Sequence, residues 1–160
     1  MERFGLDKEL RVGYFHARKR LQDSLEREID FTKTIPALNT VVMYGIAFAI
    51  FMGYSEIYLL GVDSTSLMVN IKSFLKINDS NDYCYNIGEN EKIRLQRMVQ
   101  RQTLEAQTLS FYFVLLQYRI LNNYCCQRGI KLINCSSTTL IESIPRMSLR
   151  EVLSSRRVEE

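Results

Sequence analysis

Six polar residues stand where this chain would present them to a ligand. Asn39 and Thr40 immediately precede thirteen residues without a charge, Val41 to Gly53. Asp63 and Ser64 close the apolar run EIYLLGVD, and Ser136 and Ser137 close a second one, IKLINCS. A short side-chain oxygen at a helix start accepts from an exposed amide, and the exposed amides there favour an anion. Polar groups at the carboxyl ends of parallel strands line the crevice where open α/β sheets bind ligands. Taken singly, Asn39 and Thr40 need only cap a helix, and Asp63 need only turn the chain. Their joint placement predicts a nucleotide or phosphate site. The usual phosphate signatures, GxGxxG and GxxxxGK[ST], are absent.

Other chemistries have less to work with. Cys84, Cys125, Cys126 and Cys135 show neither a CxxC pair nor a metal spacing. With His16 as the only histidine, neither a Cys/His zinc site nor a Cys-His catalytic pair is expected, and no metal or cofactor is assigned. His16 lies beside an apolar stripe and reads as a surface or packing residue. The opening MERFGLDKELR lacks the apolar core of a secretion signal. Reduced thiols and a cytoplasmic location are therefore expected, with peripheral contact at the inner membrane as the alternative.

The elements that must position these residues follow from spacing. Leu6, Leu10, Tyr14, Ala17, Leu21, Leu25 and Ile29 predict an amphipathic helix over residues 1–30. DFTKTIP breaks it. A helix capped by Asn39 or Thr40 then runs to about Met52, with Gly53 at its end, and its apolar perimeter predicts burial on every side. EIYLLGVD and IKLINCS read as parallel strands covered on both faces. Between them lie Ser64 to Gly88, without clear periodicity, and a long helix over Glu91 to Gln127 that Gly129 stops. Ser148 and Glu151 form a capping box that opens a short terminal helix.

The expected fold class is α/β: one domain over residues 1–160, with a helix–strand–helix–strand core over 39–136 and a C-terminal turn and helix over 137–160. Two strands are too few for a covered parallel sheet. Either further strands lie in Ser64 to Gly88, or the sheet is incomplete, its remainder belonging to a partner chain, a second copy or a part lost from a truncated gene. A composition of 46% hydrophobic and 24% charged residues is that of a globular domain. The net charge of +3 includes Arg146, Arg150, Arg156 and Arg157, read as a solvated basic end without nucleic-acid character. A thirteen-residue helix rises about 20 Å, short of a hydrocarbon core of about 30 Å, so no transmembrane span is expected.

Residues 30–63, DFTKTIPALNTVVMYGIAFAIFMGYSEIYLLGVD, resemble a segment of a bacterial glycosyltransferase-like group, D-x-x-x-x-I…TV…A…MG(F/Y)-x-EIYL-x-G-x-D. The group includes sialyltransferases of capsule and lipooligosaccharide synthesis. It also takes in the related 6-hydroxymethylpterin diphosphokinase-like superfamily, with its flagellin-modifying members. Residues 129–153, GIKLINCSSTTLIESIPRMSLREVL, are similar to that superfamily's ending: a strand, a Ser/Thr-rich turn, (F/I)PR and a short helix.

The resemblance implies a Rossmann-like domain that binds a nucleotide-activated sugar, often a CMP-linked acidic sugar, usually without a metal. Thr40 falls where the family contacts the nucleotide, Asp63 with Ser64 at the strand end lining its pocket, and Ser136 and Ser137 in the polar turn. Two features depart from the family. No GNGPSL-like phosphate turn occurs in the sequence, and the loop that carries the sialyltransferases' general-base histidine reads NDSNDYCYNIGEN, with Tyr83 and Tyr85 near that position. A tyrosine with a pKa near 10 is a poor base.

The implied function is that of a nucleotide-sugar-dependent glycosyltransferase of surface polysaccharide or glycoconjugate synthesis, in truncated or inactive form, with a nucleotide-sugar donor and a glycan acceptor as partners. The alternatives are a non-catalytic subunit needing a separate N-terminal half, and a pterin diphosphokinase-like enzyme.

Overall fold

A computed structural model of the chain describes residues 13–25, 27–75 and 103–156, with the single positions 88, 93, 94 and 97. Its elements are β1 (Ala17–Arg20), β2 (Ile35–Ala37), α1 (Val41–Phe51), β3 (Glu56–Leu59), α2 (Ser66–Phe74), α3 (Leu104–Gln127), β4 (Lys131–Asn134) and α4 (Leu149–Arg156). The class is α/β. The strands form two parallel pairs, β1 with β2 and β3 with β4, so a complete Rossmann sheet is not formed among the described residues.

Local chemistry sets most element ends. Thr40 caps α1 from an extended backbone, its hydroxyl accepting from the Met43 N–H at 3.3 Å. Gly53, at φ 84°, takes the left-handed step that ends the helix, and Gly129, at φ 67°, does the same after α3. Thr103 caps α3, accepting from Ala106 N–H at 3.2 Å. The residues expected to extend that helix back to Glu91 lie largely outside the described residues. The Ser148/Glu151 box closes reciprocally: Glu151 N–H donates to the Ser148 hydroxyl at 3.2 Å, and Ser148 N–H to the Glu151 carboxylate at 2.8 Å.

β3 and β4 align in register from Glu56 opposite Lys131 to Leu59 opposite Asn134. Alternation along β3 sends Ile57 and Leu59 to one face, where they meet Met43, Ile46 and Ala47 of α1 and Leu121 and Cys125 of α3. On the other face Tyr58 joins Ile133, Cys135 and Val152, the last from α4. This two-sided covering is why both strands read as continuous apolar runs.

Three sequence expectations are corrected. The amphipathic helix does not form in the described part of residues 1–30. Ala17–Arg20 is instead a strand paired with Ile35–Ala37, itself a strand inside the expected break. Pairing with a distant segment overrides helical spacing. The stripe is split as a result, with Leu21 and Ile29 buried and Tyr14 73% exposed. Residues 1–12 lie outside the described residues. Second, α2 occupies part of the stretch without periodicity.

Third, α1 is not buried all round. It buries Met43, Ile46 and Ala47 but leaves Val41 86%, Phe48 49% and Met52 57% exposed. α3 and β3 pack on its buried side, and elsewhere Phe31 meets the rings of Phe48 and Phe51 and Phe15 that of Tyr44. No helix among the described residues is long and apolar enough to cross a membrane.

Candidate functional site

α3 carries an adjacent pair, Gln117 and Tyr118, on which the strand ends converge. Gln117 has no solvent exposure. Its Nε2 donates to the carbonyl oxygens of Leu21, just past β1, at 3.0 Å and of Ala37, the last residue of β2, at 3.3 Å. Its Oε1 accepts from Asn39 N–H at 2.8 Å. One side chain therefore fixes the carboxyl ends of β1 and β2 against the entry to α1.

The Tyr118 ring is buried in the core, and its hydroxyl interacts with the side chains of Thr40 and Ser64, with the Asp63 carboxylate nearby. Burial is the main reason its pKa rises; the two hydroxyls oppose the rise and the Asp63 charge adds to it. The phenol stays protonated at neutral pH. Thr40, from the start of α1, and Ser64, from beyond β3, both neighbour the Tyr118 phenol. Asn39 borders them through Gln117. Its Nδ2 is shielded from solvent and has no hydrogen-bond partner among the described residues.

The turn after β3 is conformationally unusual. Gly61 has φ 70° and Ser64 has φ 55°, a left-handed value that costs a residue with a Cβ. Asp63 is exposed at this turn. Its carbonyl accepts from Leu140 N–H at 2.8 Å, and its carboxylate lies 3.4 Å from Thr65 N–H. One carboxylate oxygen therefore stays available to accept from a ligand hydroxyl, the role a strand-end acidic residue plays toward a ribose.

Ser136 and Ser137 form the neighbouring wall. The buried Ser136 hydroxyl accepts from Val62 N–H at 2.7 Å, and Ser136 N–H donates to Asn134 Oδ1 at 3.0 Å. Asn134 Nδ2 donates to Val62 O at 3.0 Å and to the Thr139 hydroxyl at 3.1 Å. These bonds lock the turns after β3 and β4 into one unit. The Ser137 side chain is exposed, and its carbonyl accepts from Arg146 Nη2 at 2.8 Å. Arg146 is thus an exposed brace of this turn.

Gln117 and Tyr118 were missed from the sequence. The one available signal was a glutamine, Gln117, standing inside the apolar stripe of a long helix. Tyr83, Tyr85 and Cys84 lie outside the described residues. Burial raises the Cys125 thiol to about 11 and also raises Cys135, so neither supplies a thiolate nucleophile at neutral pH. His16 is exposed, and no metal-binding group of His, Cys, Asp or Glu occurs among the described residues. The arrangement offers hydroxyls, one exposed carboxylate and a capped helix start. It can hold a polar ligand by hydrogen bonds and contains no activated base or nucleophile among the described residues.

No protein-family model matches this chain, and neither a curated protein nor a solved structure matches it.

Proposed function

We propose that this chain is the nucleotide-binding part of a sialyltransferase-like, nucleotide-sugar-dependent glycosyltransferase of surface polysaccharide or glycoconjugate synthesis, working in the cytoplasm. The nucleotide lies over the carboxyl ends of β3 and β4, between the start of α1 and the turn at Asp63. The observation that carries this reading is the joining of the turns after β3 and β4, with Val62 N–H donating to the Ser136 hydroxyl and Leu140 N–H to the Asp63 carbonyl, which holds the exposed Asp63 carboxylate beside the Ser136–Ser137 turn. Asp63 accepts from a sugar hydroxyl, Thr40 and the first-turn amides of α1 meet the phosphate, and the turn at Ser136 and Ser137 closes the other side. The family resemblance of residues 30–63 and 129–153 supports the donor class.

A second reading is favoured by the exposed face of α1, with Val41, Phe48 and Met52. Here the chain is a non-catalytic subunit whose sheet is completed by a separate N-terminal half or by a second copy. Thermal shift with CMP, CMP-sialic acid, UDP and ATP tests the first reading. A rise with CMP or CMP-sialic acid supports it, and a rise with ATP alone points to a pterin diphosphokinase-like enzyme. No shift with any of the four leaves the subunit reading.

A further inference from the structure

The β1–β2 connection lines an open cavity of about 820 Å³ that the nucleotide reading does not use. Its floor is apolar, with Leu21, Ile29 and Ile35 buried beneath it. Its rim includes Arg18, Lys19 and Arg20, three consecutive exposed cations. A regular strand cannot place three consecutive side chains around one cavity, because successive residues point to opposite faces. Here the strand is irregular. Arg18 pairs with Pro36 and Arg20 with Ala37, so Lys19 is the extra residue of a bulge. Lys19 sits at φ 54°, the left-handed conformation that bulges usually give to glycine. A bulge re-aims a side chain, and a strained residue that carries charge is a common mark of a binding site.

Asp23 and Glu28 also line the cavity. None of Arg18, Lys19 and Arg20 forms a salt bridge among the described residues, while Lys33 across the cavity is held by Asp30 at 2.9 Å. Arg20 is steadied instead by the Phe113 ring, 5.1 Å from its guanidinium carbon. Three adjacent cations repel one another until an anion joins them. Two guanidinium forks flanking an ammonium match the several oxygens of a phosphate better than a single carboxylate. The volume lies within the range of small-molecule sites, about 300–1,000 Å³, which leaves room for an apolar body above the floor.

We propose that this cavity binds a phosphate-bearing ligand, its phosphate or diphosphate held by Arg18, Lys19 and Arg20 and its less polar part resting on Leu21, Ile29 and Ile35. The phosphate comes either from a soluble compound or from a lipid headgroup. The site stands apart from the nucleotide site and does not depend on it.

The test uses the full chain and two probes at physiological ionic strength. Inorganic pyrophosphate is titrated calorimetrically, and vesicles of phosphatidylglycerol with phosphatidylcholine are compared in co-sedimentation with phosphatidylcholine alone. Saturable pyrophosphate binding assigns a soluble source, and sedimentation with phosphatidylglycerol only assigns a headgroup. In either case Arg18→Ala should weaken binding roughly tenfold, the loss of one charge-assisted contact. Lys19→Gly should weaken it comparably while melting no lower than the parent, because glycine relieves the backbone at that position. That variant separates lost binding from lost folding. Binding of neither probe, or undiminished binding by folded Arg18→Ala and Lys19→Gly proteins, would overturn the proposal.

Discussion

The backbone N–H of Asn39 donates to Oε1 of Gln117 at 2.8 Å, across 78 residues of sequence. The same amide group reaches the ends of β1 and β2 through its nitrogen. A single buried glutamine thus sets where α1 begins, and with it the position of the Thr40 hydroxyl. The site rests on α3 as much as on the strands whose ends it occupies.

Replacing Gln117 should therefore be costly. Gln117→Leu fills the space but strands one N–H and removes the shared donor of two carbonyls. Leaving a buried polar group unsatisfied costs about 1–3 kcal/mol, so a loss of about 3 kcal/mol is expected. Urea denaturation measures it as a lower midpoint at unchanged slope. An unchanged midpoint would mean that water replaces the amide.

Ser136 joins two turns and should behave as a stabilising residue whatever else it touches. Ser136→Ala leaves Val62 N–H without its acceptor, now at 2.7 Å. The expected loss is about 1–3 kcal/mol. Hydrogen exchange at the Val62 amide should accelerate more than at the Leu121 amide within α3. Equal acceleration at both would indicate global loosening rather than a released turn.

Asp30 gives the chain an acid-sensitive turn. Its carboxylate accepts from the Thr32 hydroxyl at 2.6 Å and from Thr32 N–H at 2.9 Å, and it pairs with Lys33. The Thr32 hydroxyl is the largest cause that lowers its pKa from 3.8 to about 2, followed by the Lys33 contact. The folded value lies below the unfolded one, so the unfolded chain binds more protons in this window. Asp30 therefore contributes stability fully above pH 3.8, and the contribution fades as pH falls toward 2. Thermal melts should show Asp30→Asn less stable than the parent at pH 6, with the difference closing by about pH 2. A difference that persists at the acid end would assign the effect to packing.

The legible features were local ones. The Thr40 cap, the left-handed glycines at positions 53 and 129 and the Ser148/Glu151 box each depend on a few neighbouring residues, and all are present. The β3–β4 pair was legible because burial on both faces leaves an uninterrupted apolar run. β1 was not, because ARKR has strand character only once Ile35–Ala37 lies beside it. The exposed side of α1 was equally hidden, since an apolar perimeter does not say which side has a neighbour. Thr40, Asp63 and Ser64 lie at or just beyond element ends, which local sequence can indicate. Gln117 and Tyr118 act from mid-helix through contacts far away in sequence, which helical spacing cannot reveal.

The central claim is that the carboxyl ends of β3 and β4 hold a nucleotide. Its most direct test is a thermal-shift titration of CMP and CMP-sialic acid against the parent chain and Asp63→Ala. The Asp63 side chain is exposed, so its removal should leave the unliganded melting temperature nearly unchanged. A saturable rise is expected for the parent, strongly reduced in Asp63→Ala. No shift of the parent with either ligand, or an equal shift in parent and variant, would contradict it.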